Sequence, residues 1–183
     1  VHNTAGDAGG ILVHGGRSYV VQNVIWHNEC NDAEPGQTLL FGGGGLVMRG
    51  DDQDLTSQVA ATNNLIIEND SNDSGGGVIM LETTNECYLL NNVIAGNTAA
   101  SDGGGLAFDS TDEGVVTNNI IIGNDGYGIH SNIGNNLMSF QTAYNDVYDN
   151  SLGNYGGSIW TQTGILGNIS EPALFVAWTD DDD

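Results

Sequence analysis

Residues 75–97 read GGGVIMLETTNECYLLNNVIAGN, and residues 103–124 read GGGLAFDSTDEGVVTNNIIIGN. Each copy opens on three glycines, continues through two short apolar segments and an Asn-Asn pair, and ends on asparagine. That closing asparagine recurs at spacings of 25, 41, 28, 27 and 26 residues, at Asn3, Asn28, Asn69, Asn97, Asn124 and Asn150. Self-similarity at this period is typical of solenoid proteins.

The apolar segments inside each repeat predict strands. They are short, rich in Val, Ile and Leu, and bounded by glycine or asparagine, and none has the length or period of an amphipathic helix. Each strand can pair with its equivalent one coil away. The sequence therefore predicts an all-β fold, a single-stranded parallel β-helix of about six coils. At about 4.8 Å per coil, the rod would be on the order of 30 Å long.

Aligning the coils predicts which side chains face the interior. The first inward row contains Ile11, Leu46, Val78, Leu106, Ile129 and Ser158. The second contains Val13, Met48, Met80, Phe108, Ser131 and Trp160. The third is β-branched throughout, with Ile25, Ile66, Ile94, Ile121 and Val147. Rows that are mostly apolar predict a dry core running along the rod.

A further row is made of asparagine and lies at the bend before the third inward row. Its members are Asn23, Asn64, Asn92, Asn119 and Asn145. Stacked side-chain amides can hydrogen-bond to one another and to the backbone groups of a buried turn. We expect a structural ladder at these five positions, whereas Asn31, Asn72 and Asn154 are predicted to be solvated loop residues.

Composition restricts the possible partners. The chain has 24 acidic residues against two arginines, no lysine, and a formal net charge of −22. Such a charge disfavours nucleic acid and anionic lipid as partners, and no hydrophobic stretch is long enough to insert into a membrane. The 183 residues predict one domain, 1–183, with an inserted surface loop at 29–44 and an acidic tail at 176–183. Because neither end has a recognisable cap, we expect a fragment of a longer chain.

The two cysteines leave two possibilities open. Cys30 lies in the predicted insertion and Cys87 begins a strand about two coils later. They either form one disulfide, if the loop folds along the rod, or remain separate thiols.

The C-terminal part of the chain resembles a known group of proteins. The run YNDVY at 144–148, NYGGSI at 154–159, TGILGNIS at 163–170, and then Pro172 and Phe175 resemble the closing segment of large secreted bacterial proteins with right-handed parallel β-helix repeats, in the pectate-lyase-like superfamily. The GG-[ILV] and [ILV]-x-x-N pieces are similar to the repeats of chlamydial polymorphic outer-membrane adhesins. The resemblance implies a right-handed helix and an extracellular or cell-surface location.

Acidic turns before the glycines are candidate calcium ligands. Four aspartates occupy this place in successive coils, Asp7, Asp73, Asp102 and Asp125. Stacked carboxylates on one edge of the rod would suit Ca²⁺, which takes six to eight oxygen ligands. The alternative is that aspartate simply favours tight turns before glycine.

An outward row on the strand after the glycines is the candidate catalytic site, because enzymes of the resembling superfamily keep theirs there. It contains His14, Arg49, Leu81, Asp109, Asn132 and Thr161. Arg49 and Asp109 are two coils apart, about 10 Å, a distance compatible with an inverting glycosidase but not with a directly contacting acid and base pair. The superfamily's lyases generally use arginine and lysine on uronates, and this chain has no lysine. The four histidines lie in different rows, so a zinc site is not expected.

Two outward rows are apolar and are candidate binding faces. The first is Leu12, Val47, Ile79, Ala107, His130 and Ile159, and the second is Trp26, Ile67, Ala95, Ile122 and Tyr148. Such a stripe marks either a partner or a covering segment of the same chain. The function we expect is a structural, adhesive or assembly module that binds polysaccharide or copies of itself. The alternative is a carbohydrate-active enzyme that uses His14, Arg49 and Asp109.

Overall fold

The structure is a computed structural model that describes residues 2–6, 8–31, 42–51, 56–81, 87–109, 113–132 and 139–175. These residues form twenty short strands and no helix. Every pair of neighbouring strands is parallel. The predicted parallel β-helix is confirmed.

The strands form four sheets that run the length of the rod. The first sheet contains β1 (Thr4–Ala5), β5 (Glu29–Cys30), β9 (Asp70–Ser71) and β13 (Thr98–Ala99). The second contains β2 (Ile11–His14), β6 (Leu46–Arg49), β10 (Val78–Leu81), β14 (Leu106–Asp109), β17 (Tyr127–Ser131) and β20 (Gly153–Gly157). The third contains β3 (Arg17–Val21), β7 (Gln58–Thr62), β11 (Cys87–Leu90), β15 (Glu113–Thr117) and β18 (Ser139–Ala143). The fourth contains β4 (Val24–Trp26), β8 (Leu65–Ile67), β12 (Val93–Ala95), β16 (Ile120–Ile122) and β19 (Asp146–Tyr148).

The interior is built from like residues stacked in register. Ile66, Ile94 and Ile121 are direct neighbours on successive strands of the fourth sheet, and none of them is exposed. Met48, Met80 and Phe108 are stacked in the same way in the second sheet. These rows belong to one continuous hydrophobic core. Burial on this scale is the main stabilising contribution in the rod.

The last coil departs from the predicted register. Strand β20 pairs Ile129 with Tyr155 and Ser131 with Gly157, so these residues replace Ser158 and Trp160 in the two inward rows. Trp160 is 79% exposed, so its predicted place in the core is wrong. The misalignment arose because Gly156 and Gly157 resemble the glycines that open earlier coils. In the structure these two glycines belong to the strand itself.

The Asn-Asn pair has two separate tasks at each bend. The first residue of the pair has a positive φ, 56° at Asn63 and 57° at Asn91 and Asn118. Asparagine tolerates this left-handed conformation better than most residues. The second residue of the pair is buried and makes the hydrogen bonds of the ladder. The sequence therefore needs two asparagines in a row where the chain turns toward the fourth sheet.

Two asparagine ladders run along the rod. In the first, the backbone N–H and Nδ2 of each residue donate to Oδ1 of the next, at 2.9–3.0 Å. The donating residues are Asn23, Asn64, Asn92, Asn119 and Asn145, and Asn168 is the last acceptor. The closing asparagines of the repeats form a second ladder, linked by their side-chain amides, through Asn3, Asn28, Asn69, Asn97, Asn124 and Asn150.

Three asparagines predicted to be merely solvated also make side-chain contacts. Asn72 Nδ2 donates to Asn31 Oδ1 at 2.7 Å, and Asn150 Nδ2 donates to Asn154 Oδ1 at 3.2 Å. The coils are therefore also linked through amides outside the buried rows.

The predicted insertion is narrower than residues 29–44. Glu29 and Cys30 form strand β5, and residues 42–45 are buried glycines. The part that could form a loop, residues 32–41, lies outside the described residues, as does the acidic tail at 176–183. Cys30 and Cys87 are both buried and are not joined by a disulfide.

Candidate functional site

The three candidate catalytic residues lie in one column on the outside of the second sheet. His14 pairs in register with Arg49, Arg49 with Leu81, and Leu81 with Asp109. His14 and Asp109 are exposed and Arg49 is half-buried. Leu81, only 3% exposed, separates Arg49 from Asp109. The column brings the three polar residues to one side of the rod without placing Arg49 and Asp109 on neighbouring strands.

The four candidate calcium ligands do not form one column. Asp125 pairs with Thr98, which itself pairs with Asp70, so it belongs to the first sheet. Asp102 comes four residues after Thr98 and lies 3.5 Å from His130 Nε2 through its Oδ1. Asp125 instead accepts a 2.7 Å hydrogen bond from the Ser151 hydroxyl. The predicted single row of aspartates is therefore wrong at Asp125.

The remaining aspartates of that row give no closer cluster. Asp73 is half-buried at the turn before β10, and Asp7 lies outside the described residues. Within the described parts of the chain, no group of three or more His, Cys, Asp or Glu side chains has the geometry of a metal site.

The first apolar outward row is largely covered by the turns of its own chain. Val47, Ile79 and Ala107 are at most 2% exposed. A Cβ added at Gly43 would lie 2.4 Å from Val47, and one at Gly75 would lie 2.6 Å from Ile79. The glycines at these positions allow the backbone to pass directly over the apolar side chains. This row is therefore a second, smaller core, and only Leu12 is exposed.

The second apolar row is partly open. Ile67 is buried, Ala95 and Ile122 are half-buried, and Phe175 lies against them at the edge of a shallow apolar groove. Phe175 was recognised in the sequence only as part of a closing segment. The structure brings it onto the outer face of the fourth sheet.

A concavity that the sequence patterns did not single out lies at the corner between the fourth and first sheets. It has a volume of about 280 Å³ and is lined by His2, His27, Asn28, Glu29, Glu68 and Asp70. The side chains of Glu29 and Asp70 come from directly paired positions. His27 Nε2 lies 2.6 Å from Glu68 Oε2, and His2 Nε2 lies 3.8 Å from Glu29 Oε2. Carboxylate oxygens therefore converge on an open, polar hollow.

Trp26 lies beside this concavity. Its indole N–H donates a 2.9 Å hydrogen bond to Glu68 Oε2, and its ring stacks on His27 at a centroid distance of 4.4 Å. Trp26 is nevertheless 44% exposed. The ring is thus held in a fixed orientation while much of it remains open to solvent.

The concavity could have been found from one sequence signal. In the third and fourth coils the residue before the closing asparagine is glycine, Gly96 or Gly123, with φ near 62°. The first two coils have His27 and Glu68 there, each with φ 52°. A long side chain in a left-handed conformation costs of order 1 kcal/mol or more, and such residues cluster at functional sites. Two polar exceptions to a glycine position therefore indicated this corner.

His130 is the most unusual titratable group in the described chain. It is 5% exposed, stacks on Tyr127, and its Nδ1 has no hydrogen-bond partner among the described residues. Burial lowers the pKa of the His130 imidazole, and the nearby Asp102 carboxylate partly opposes this change. In the next coil, burial raises the pKa of the Tyr155 hydroxyl to about 12. Both groups are uncharged near neutral pH and pack as part of the rod.

Comparisons with known proteins agree with this architecture. A family model described as a right-handed beta helix region matches residues 1–170. Searches among curated proteins and among solved structures gave no match. In the portions that the structure describes, no helix is long and apolar enough to cross a membrane.

Proposed function

This chain belongs to the right-handed beta-helix family, and we propose that it serves as an extracellular, rigid adhesive module that binds neutral polysaccharide. The single observation that carries the proposal is the exposed Trp26 ring, fixed beside a hollow of carboxylates. An orientable aromatic face next to a few convergent polar groups is a common way to build a ligand site.

The choice of a neutral glycan follows from charge. Glu29, Glu68 and Asp70 line the concavity, and the whole chain has a formal charge of −22. Uronate-containing or sulfated chains would be repelled. Sugar hydroxyls, in contrast, can donate hydrogen bonds to carboxylate oxygens while the sugar ring packs on the indole.

The rod itself supports an adhesive role. Its ladders and in-register sheets fix the outer surface with little freedom to move, so binding would require little ordering of the protein. The Trp26 corner repeats on each copy of the rod, and several copies on one surface would bind a long glycan with higher avidity.

Binding to neutral glucans, mannans and galactans tests the proposal. We expect saturable binding that weakens about tenfold or more in Trp26→Ala, because removing a central aromatic anchor typically costs that much. Trp160→Ala is the matched control, since Trp160 is exposed at the far end of the rod. Equal binding by both variants, or a preference for uronates, would refute the proposal.

A carbohydrate-active enzyme is the second candidate, supported by the shared column of His14, Arg49 and Asp109. It predicts new reducing ends or unsaturated products from a polysaccharide. Arg49→Ala and Asp109→Ala would each abolish that product. If wild-type protein releases no product from either neutral or acidic glycans, this candidate is eliminated.

Calcium stabilisation and self-association remain proposals. Calcium bound to the folded rod, through turns that include Asp73 and Asp102, would raise the melting temperature relative to EDTA. An unchanged melting temperature would reject it. Self-association would appear as concentration-dependent sedimentation, and an unchanged sedimentation coefficient over a wide concentration range would reject it.

A further inference from the structure

The N-terminal edge of the rod presents unpaired backbone groups. Strands β2, β3 and β4 are the edge strands of their sheets. Their hydrogen bonds go to the second coil through alternate residues, as Ile11 N–H donates to Gly45 O and Gly15 N–H to Arg49 O. In a parallel ladder the residues between these point their N–H and C=O groups to the other side. Leu12 is such a residue in β2.

The other two edge strands follow the same rule. Tyr19 lies between bonded residues of β3, and Val24 between bonded residues of β4. No backbone partner for Leu12, Tyr19 or Val24 is present among the described residues. Three successive strands therefore offer one continuous row of donors and acceptors.

The asparagine ladders add a direction to this edge. Every ladder residue donates toward the C-terminal end of the rod and accepts from the N-terminal side. Asn23 thus gives its N–H and Nδ2 to Asn64, and Asn3 gives its Nδ2 to Asn28. Within the described chain, Oδ1 of Asn23 and Oδ1 of Asn3 accept no hydrogen bond. These two carbonyls await donors from a further coil.

The opposite end of the rod cannot supply those donors. Asn168 ends the first ladder, and its Nδ2 donates to Thr142 O and Ile165 O at 2.9 and 2.7 Å. Its backbone N–H donates to Ile165 O at 3.0 Å. Because these donors are used within the last turn, a second copy stacked head to tail would not continue the ladder.

We propose that the N-terminal edge is a docking site for one coil contributed by a different polypeptide, with asparagines at the positions that meet Asn3 and Asn23. The incoming chain would run parallel to β1–β4 and add one strand to each sheet. Its apolar residues would cover Ile11, Val13 and Ile25. This mode is β-strand addition, with backbone bonds giving affinity and the two asparagines giving register. The inference does not depend on glycan binding, which uses the Trp26 corner.

A coil from this same chain is a suitable probe. Residues 97–122 begin with Asn97, contain Asn119, and span the equivalents of the four edge strands. As a synthetic peptide, this segment should bind the intact 183-residue protein in a buffer with enough salt to screen the acidic charges. Binding should slow hydrogen exchange of the backbone amides of Leu12, Tyr19 and Val24.

A peptide with Asn119→Leu is the matched control, since leucine has a similar size but no amide donors. We expect it to bind about 10- to 100-fold more weakly, because it leaves the Asn23 carbonyl buried and unsatisfied. Equal affinity for the two peptides, or no protection of the three amides, would overturn the proposal. Protection of those amides in the protein alone at high concentration would also overturn it, because a second copy would then occupy the edge. Glycan binding is unaffected in every case, so the two proposals can fail separately.

Discussion

The backbone N–H and the side-chain Nδ2 of Asn92 both donate to Oδ1 of Asn119, at 2.9 and 3.0 Å. Oδ1 of Asn92 in turn accepts the same two donors from Asn64 in the preceding coil. One buried amide therefore joins three coils. This arrangement repeats along the rod, so the ladder stabilises the stacking of coils as much as the turns themselves.

Replacing Asn92 by leucine should destabilise the fold by roughly 3 kcal/mol or more, since several buried donors and acceptors lose their partners at once. Urea unfolding measures the change. Asn72→Leu is the control, because Asn72 is exposed and its amide meets Asn31 at the surface. We expect a change within about 0.5 kcal/mol there. Similar losses in both variants would show that the buried ladder contributes nothing special.

The core row of the second sheet gives a second prediction. Phe108 is fully buried and stacks on Met80. Phe108→Ala should cost about 3–5 kcal/mol through lost burial and the cavity that remains. Trp160→Ala should cost almost nothing, because that side chain is 79% exposed. A large loss at Trp160 would restore the register expected from sequence and contradict the observed last coil.

Close approach of neighbouring coils explains the opening glycines. A Cβ at Gly77 would lie 2.7 Å from Gly105 O and 2.8 Å from Ile94 Cγ2. Gly77→Ala should therefore force the coils apart and lower the free energy of unfolding by about 1–3 kcal/mol. Gly6→Ala is the control, as nothing lies within 4 Å of its added Cβ. If thermal unfolding finds the two variants equally stable, the coils are not packed as described.

Acid should destabilise the protein through His130. Its folded-state pKa is lowered by burial, whereas the unfolded chain retains the ordinary value of 6.5. The unfolded state therefore binds the proton more readily, and stability falls as pH drops through 6.5 toward the lowered folded pKa. His130→Gln cannot be protonated and should lose less stability between about pH 7 and pH 5.5. Parallel pH profiles for the two proteins, measured by urea unfolding, would contradict this assignment.

The repeat made most of the fold predictable. Three glycines, two apolar segments and an Asn-Asn pair recur often enough to align the coils, and alignment gave the inward rows. The last coil failed because Gly156 and Gly157 imitate an opening glycine pair. Sequence similarity cannot distinguish glycines before a strand from glycines inside one. The backbone hydrogen bonds to β17 make that distinction.

The site was less predictable, and particular residues explain why. Asp125 directly follows the closing Asn124, as Thr98 follows Asn97, so counting from the asparagine would have placed it in the first sheet. Counting back from the glycines did not, since this coil has a shorter turn. The concavity joins Glu29, Glu68 and His27 across two coils. No single repeat contains it, and only the left-handed corner residues gave a hint.

Register along the whole rod is the central claim, and a distance between paired electron spin labels tests it most directly. Tyr19 and Gln141 are joined by four register steps through Ala60, Tyr88 and Val115. With Cys30 and Cys87 replaced by alanine, labels at Tyr19 and Gln141 should report a narrow distribution consistent with a Cα separation of about 19 Å, four strand spacings. A separation beyond about 30 Å, or a distribution with no defined maximum, would contradict a rod in which each coil lies directly on the one before it.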